Sequence, residues 1–130
     1  MTPQELSRTP FEIFGGEATV HRLVERFYGL MDSLPEAYAA RKLHPESLAA
    51  SQRKLFEFLC GWLGGPQYYV EKYGHPRMRA RHLPFAIGEA ERDAWLACMA
   101  QAAAEILPEG VARTRFLESI QGLADHMRNQ

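Results

Sequence analysis

The sequence contains few cysteines and no long apolar run. Its two cysteines, Cys60 and Cys98, lie in apolar stretches with helical spacing, so we expect buried free thiols in a reducing compartment and no disulfide. Because no C-x-x-C pair occurs, the usual zinc-binding patterns are excluded. The longest apolar stretches, such as residues 59–63, are too short to cross a bilayer, so no membrane association is expected. Residues 1–6 have neither the basic start nor the apolar run of a signal peptide, which favours a cytoplasmic location.

An excess of charge of either sign is also lacking. The 15 Lys and Arg residues and 16 Asp and Glu residues give a net charge of -1, and no basic stripe or charged tail occurs. A nucleic-acid partner is therefore not expected. The chain has 130 residues, of which 46% are hydrophobic, and this is enough to bury one core. Residues 1–130 are expected to form a single domain.

Strand-like alternation is absent as well, and the spacing of the apolar residues predicts an all-α chain. Four substantial helices are predicted, at residues 17–32, 45–62, 88–106 and 112–128. Pro45 suits the first position of the second of these helices. A short helix is predicted from Arg77 to His82, and Leu83-Pro84 ends it because proline disfavours helix in the residue before it. Residues 67–76 are predicted to be irregular.

One histidine stands in an unusual setting. His82 follows Arg79 and Arg81 and precedes a Leu-Pro-Phe run that ends at Phe85. A neutral imidazole is the commonest metal ligand among protein side chains. Two arginines beside apolar residues suit a ligand that is both apolar and anionic, and haem is such a ligand. A lone histidine is more often found on a surface turn, so this indication depends on the rest of the chain.

Polar side chains interrupt the apolar helical faces at three positions. Tyr28 follows Phe27, Ser51 lies one turn before Leu55, and Trp95 begins the apolar stripe of its helix. Each has an ordinary explanation: a core tyrosine with its hydroxyl at the edge, a serine bonded to the preceding turn, and a packed tryptophan. Together they supply a second polar cluster, suited to the opposite face of a haem ring.

Several motifs in a fixed order resemble the truncated haemoglobins, and specifically the second group of that family. The resemblance runs from Phe11 to Met127. The motifs that carry it are Gly15-Gly16, Arg26-Phe27-Tyr28, the Trp62–Pro66 run, the Gly74–Phe85 run and the Glu91–Met99 run. It implies a truncated globin fold, in which two helices lie over two around haem b. Because the C-x-x-C-H attachment sequence is absent, the haem is expected to be bound non-covalently.

Carried over residue by residue, the resemblance makes His82 the proximal ligand that bonds the iron. The positions that line the distal, gas-binding side are Tyr28, His44, Ser51, Leu55 and Trp95. A tryptophan at position 95 is a mark of the second group, whereas His44 departs from the commoner phenylalanine or tyrosine. Arg79 and Arg81 are expected to offer a fork to the propionates. The candidates for contact with the ring are Phe27, Leu55, Leu59, Met78, Phe85, Ile87, Trp95 and Met99.

The resemblance implies reversible binding of oxygen and other diatomic ligands at a five-coordinate iron, as in oxygen binding or transport. Trp95, Tyr28 and His44 are the candidate donors to bound oxygen, which carries partial negative charge. Since one such hydrogen bond is worth roughly 1.5–3 kcal/mol, slow oxygen release is expected. The ligands considered are oxygen, carbon monoxide, nitric oxide and peroxide.

Two other functions stay open on the sequence. The same site could belong to an enzyme for nitric oxide dioxygenation or peroxide reduction, and this would need a separate reductase because the chain carries no flavin or nicotinamide module. The other alternative is a helical interaction protein without metal, or with a structural zinc at His75 and His82, for which third and fourth ligands are lacking. The oligomeric state is expected to be monomer or homodimer.

Overall fold

The computed structural model describes residues 8–130, and that range contains helices and loops but no strand. The all-α prediction is therefore confirmed for these residues. The elements are α1 (Pro10–Phe14), α2 (Glu17–Ser33), a 3-10 turn (Pro35–Ala37), α3 (Tyr38–Arg41), α4 (Ala49–Trp62), α5 (Tyr68–Tyr73), α6 (Met78–His82), α7 (Glu89–Ile106) and α8 (Val111–His126). No helix within residues 8–130 is both long enough and apolar enough to cross a membrane.

A tight glycine turn separates α1 from α2. Gly15 and Gly16 have φ angles of 111° and 78°, in the left-handed region that residues other than glycine rarely adopt. The N–H of Gly15 donates to the carbonyl of Glu12 and closes α1. This turn directs α2 back across the molecule.

The centre of the core lies between α2 and α7. One face of α2 is almost completely buried, and its members are Val20, Leu23, Val24, Phe27, Leu30 and Met31. On α7 the opposing residues include the small side chains of Ala102 and Ala103, which are fully buried and let the two helices approach closely. Helix α2 also packs against α4, and α7 packs against α8. Two helix pairs, α2 with α4 and α7 with α8, are thus joined through α2 and α7.

Both cysteines are free and buried, as predicted. Burial raises the pKa of the Cys60 thiol to about 12, so this thiol stays protonated and unreactive at neutral pH.

Two parts of the chain differ from the sequence-based prediction. Helix α4 begins at Ala49 and not at Pro45. The Arg41 guanidinium donates to the carbonyls of Pro45 and Glu46 at 2.9 and 2.7 Å, and these are the carbonyls that a helix from Pro45 would use for its own hydrogen bonds. Residues 67–76, which were expected to be irregular, contain the short helix α5, and this helix packs against α4. Its six residues are too few to show a helical period in the sequence.

Candidate functional site

A cavity of about 550 Å³ lies between α2, α4, α6, α7 and α8. Its volume is within the range of small-molecule and cofactor sites. Most of its wall is apolar. The lining residues are Tyr28, Ala40, Leu43, His44, Pro45, Ser51, Lys54, Leu55, Phe58, Tyr69, Met78, Arg81, His82, Phe85, Ile87, Glu91, Arg92, Trp95, Ile120, Leu123, Ala124 and Met127. The chain therefore encloses an apolar space with polar groups at a few places.

His82, the last residue of α6, lines this cavity. Its Nδ1 lies 2.6 Å from the carbonyl oxygen of Met78. A carbonyl can only accept, so Nδ1 carries the proton and Nε2 of the neutral ring has a free lone pair. Histidines that bind metals in proteins have this arrangement, in which a carbonyl fixes the tautomer and the orientation of the ring.

His44 also lines the cavity, and its Nδ1 lies 2.9 Å from the carbonyl oxygen of Ala40. Burial lowers the pKa of His44, and the charge of Arg41 adds a smaller contribution in the same direction, while the hydrogen bond to the Ala40 carbonyl opposes the shift. The ring is therefore neutral at pH 7, with its proton on Nδ1. In contrast to the expectation from the sequence, His44 then offers an acceptor to the cavity and not a donor.

Tyr28 and Trp95 also line the cavity, and each carries a group that can donate a hydrogen bond. Burial raises the pKa of the Tyr28 hydroxyl well above its ordinary value, so this group keeps its proton; the hydroxyl donates to the carbonyl of Ser51 at 3.4 Å. Phe27 is fully buried behind them, with its ring centroid 4.8 Å from that of Tyr28 and 4.9 Å from that of Trp95. Phe27 therefore holds both aromatic rings in place without lining the cavity.

The structure brings together most of the residues that the sequence singled out. Those that line the cavity are Tyr28, His44, Ser51, Leu55, Met78, Arg81, His82, Phe85, Ile87 and Trp95. Phe27, Leu59 and Met99 are fully buried in the core and are not part of the cavity wall. Arg79 is also away from the wall, because its guanidinium donates to the carbonyls of His126 and Arg128 at 2.7 and 3.1 Å.

Two cationic residues of the cavity wall, Lys54 and Arg92, were not predicted. Lys54 lies three residues after Ser51 and Arg92 three residues before Trp95, so helical spacing from those positions would have found both. Arg92 is held by Asp93 and Asp125, which fixes its position between α7 and α8. With Arg81, they place three cations around the cavity.

The zinc alternative has no ligand set in the described part of the chain. Among residues 8–130 no group of three or more His, Cys, Asp or Glu side chains could hold a metal ion. His75 is exposed, and its Nδ1 accepts from the backbone N–H of Arg77 at 3.1 Å. It therefore belongs to a surface turn.

Comparison with known proteins decides the family. The family model for bacterial-like globins matches residues 9–129. Group 2 truncated hemoglobin YjbI of Bacillus subtilis (strain 168) is 40% identical over 121 residues, which cover 93% of this chain and 89% of that relative. The chain belongs to the group II truncated haemoglobins.

Solved structures of truncated haemoglobins agree with this assignment. The group II 2-on-2 hemoglobin of Agrobacterium tumefaciens is 47% identical and has a TM-score of 0.94, over 95% of this chain and 96% of that chain. The truncated oxygen-avid haemoglobin of Bacillus subtilis is 38% identical and has a TM-score of 0.86, over 94% of this chain and 100% of that chain. The predicted two-over-two truncated globin fold is therefore confirmed.

Membership in this family makes the chain a haem-binding globin. The cavity fits such a group in three respects. It offers a histidine with a free Nε2, walls that are mostly apolar, and the cations of Lys54, Arg81 and Arg92 for carboxylates.

Proposed function

We propose that this truncated haemoglobin binds haem b non-covalently, with Nε2 of His82 as the proximal ligand. The observation that carries the proposal is the 2.6 Å contact between His82 Nδ1 and the Met78 carbonyl, at a cavity of about 550 Å³. In the neutral ring this contact places the proton on Nδ1, leaves the lone pair of Nε2 free and fixes the orientation of the ring. When bound, haem would supply an iron with one open coordination position for a diatomic gas. We propose that this iron is five-coordinate, with His82 as its only protein ligand.

Charge and shape support the binding of haem in this cavity. Arg81, Lys54 and Arg92 supply cations for the two propionates, and Arg81 can offer a bidentate fork. The apolar side chains of Leu55, Met78, Phe85 and Ile87 exclude water from the ring itself. We further propose that residues 1–130 act as a single domain.

On the distal side, we propose that Trp95 and Tyr28 hold oxygen by donating hydrogen bonds to it. The indole N–H can only donate, and the buried Tyr28 hydroxyl keeps its proton, which would turn from the 3.4 Å bond to the Ser51 carbonyl toward the bound ligand. His44, with its proton on Nδ1, contributes an acceptor to this side and no donor. Two donors predict slow oxygen release, since each is worth roughly 1.5–3 kcal/mol. A related truncated haemoglobin, from Bacillus subtilis, is described as oxygen-avid.

The proximal assignment is tested by His82→Ala, with His75→Ala as the matched control because His75 is exposed and outside the cavity. Each protein is loaded with one equivalent of haem and passed through a desalting column. Absorption spectra are then recorded for the ferric, reduced and carbon monoxide-treated forms. We expect His82→Ala to lose the haem or the histidine-ligated ferrous spectrum, and His75→Ala to match the wild type. A wild-type ferrous spectrum in His82→Ala would show that another residue is the proximal ligand.

A further inference from the structure

The helix that carries His82 has little apolar packing, because of its residues only the half-buried Met78 packs against the hydrophobic core. None of the five residues of α6 is buried. The residue before this helix, Arg77, has a left-handed φ of 46° and provides no side-chain cap. Packing through Met78 alone is a small apolar contact, so polar contacts must also help to fix the position of the imidazole.

The C-terminal residues supply polar contacts to this region. The Asn129 side-chain amide donates to the carbonyl of Phe85 at 2.8 Å and to the carbonyl of His82 at 3.3 Å. Its Oδ1 accepts from the backbone N–H of Ile87 at 3.0 Å. These three bonds, which we name the Asn129 clamp, use both amide hydrogens and the amide oxygen.

Further bonds attach the same two parts of the chain. The backbone N–H of Asn129 donates to the carbonyl of Ile87 at 2.9 Å, and the N–H of Gln130 donates to the same carbonyl at 3.2 Å. Arg79, inside α6, donates to the carbonyls of His126 and Arg128. The C-terminal segment is thus bonded to α6 and to the loop that follows it.

We propose that Asn129 is a positioning residue for the proximal histidine. Through the carbonyl of His82 and the loop from Phe85 to Ile87, the Asn129 clamp fixes the end of α6 and with it the direction of the imidazole. The inference rests on the proposed role of His82. An asparagine is needed because an aspartate in the same place keeps the bond from Ile87 but turns a carboxylate toward two carbonyl oxygens. Loss of the clamp loosens α6, so the histidine no longer meets the iron in one fixed orientation.

The experiment uses haem-loaded Asn129→Ala and Asn129→Asp, with Gln130→Ala as the matched control. The side chain of Gln130 is exposed and takes no part in the clamp, and its backbone bond to Ile87 survives the substitution. Resonance Raman spectra of the ferrous proteins give the iron–histidine stretching band, and transfer to an excess of a haem-scavenging protein gives the rate of haem loss. Far-UV circular dichroism and the Tm show that each variant is folded.

We expect the iron–histidine band to shift or broaden in both Asn129 variants, and haem loss to become about two- to tenfold faster. Gln130→Ala should match the wild type in both measurements. An unchanged band in both Asn129 variants, whether or not their Tm falls, would overturn the inference and leave a merely structural role. Absence of the band from the wild type would instead overturn the proximal assignment, and the inference with it.

Discussion

Two histidines of the cavity make the same kind of hydrogen bond, and this decides what each can do. His82 and His44 both direct Nδ1 to the carbonyl of the residue four positions earlier, Met78 and Ala40. Each neutral ring therefore presents an unprotonated Nε2. For His82 this is the form that binds a metal, whereas for His44 it removes the donor expected from the sequence. Tyr28 and Trp95 are the donors that we propose for a ligand on the distal side.

Replacement of Trp95 by phenylalanine tests that conclusion. Phenylalanine keeps an aromatic ring against Phe27 but lacks the N–H, so we expect oxygen release to become about ten- to a hundredfold faster. The rate is measured by stopped-flow displacement of oxygen with carbon monoxide. Trp62→Phe is the matched control, because Trp62 is 37% exposed and outside the cavity. Equal release rates in Trp95→Phe and the wild type would make Trp95 a packing residue and leave Tyr28 as the main donor.

At the scale of elements, a buried carboxylate joins α4 to α5. The Glu57 side chain is 3% exposed; it is bonded to Lys72 and accepts from the Tyr73 hydroxyl at 3.1 Å. Burial alone would raise the pKa of Glu57, but the bonds from Lys72 and Tyr73 outweigh it, and the pKa lies below its ordinary value. The ionised form therefore stabilises the packing of the two helices. This contribution is complete above the ordinary pKa and is lost as the pH falls through the lowered one.

We accordingly expect Glu57→Gln to lower the free energy of unfolding by about 1 kcal/mol or more at pH 7, since bonds to a charged group are lost. The difference from the wild type should shrink only as the pH falls below the ordinary glutamate pKa and through the lowered pKa of Glu57, where Glu57 itself becomes protonated. Urea unfolding of the haem-free proteins at pH 7 and at the lowest pH at which both proteins still fold measures this. Glu71→Gln serves as the control, because Glu71 is exposed on α5. A difference that is the same at both pH values would show that the ionisation of Glu57 does not contribute.

The helices differ in how well their positions could be predicted from the sequence. Long helices such as α2 and α7 were predicted within one or two residues, because their apolar faces repeat over several turns. Helix α5 was missed since only Tyr69 is buried among its six residues, and it packs on α4 with the help of Glu57. The start of α4 was misplaced because the side chain of Arg41, which precedes the predicted helix, bonds the carbonyls that a helix from Pro45 would use.

The candidate site shows the same limit. Its histidine and aromatic residues were found through ordered motifs, but proximity in sequence is a poor guide to the direction of a long side chain. Arg79 and Arg81 are two residues apart, yet Arg81 lines the cavity and Arg79 bonds the C-terminal segment. Nothing in the sequence shows that Asn129 meets the loop after His82, because 47 residues separate them.

At the scale of the whole molecule, the cavity lies between the two helix pairs, α2 with α4 and α7 with α8, on the side where the pairs do not pack together. Tyr28 of α2, Leu55 of α4, Trp95 of α7 and Ile120 of α8 all line it. The contacts that join the pairs, such as the paired bonds between Arg26 and Glu105 at 2.6 and 3.1 Å, lie elsewhere. Apolar side chains that line an unfilled cavity lack neighbouring atoms on one side, so they contribute less burial and dispersion energy to the stability of the fold. A ligand that fills this space should therefore stabilise all four long helices together.

Haem binding is accordingly expected to raise the Tm of the entire domain in one transition. At a free haem concentration about a thousandfold above Kd, linkage gives about 4 kcal/mol, or roughly 15 °C for a chain of this size.

Iron-free protoporphyrin fills the same space but cannot bond His82, so it separates burial from coordination. We expect protoporphyrin to raise the Tm by a smaller amount, equally in the wild type and His82→Ala, and haem to add a further rise in the wild type only. Differential scanning calorimetry measures all four combinations. If protoporphyrin leaves the Tm unchanged, the cavity does not receive the ring; if haem adds the same further rise in His82→Ala, the bond to His82 contributes nothing to stability.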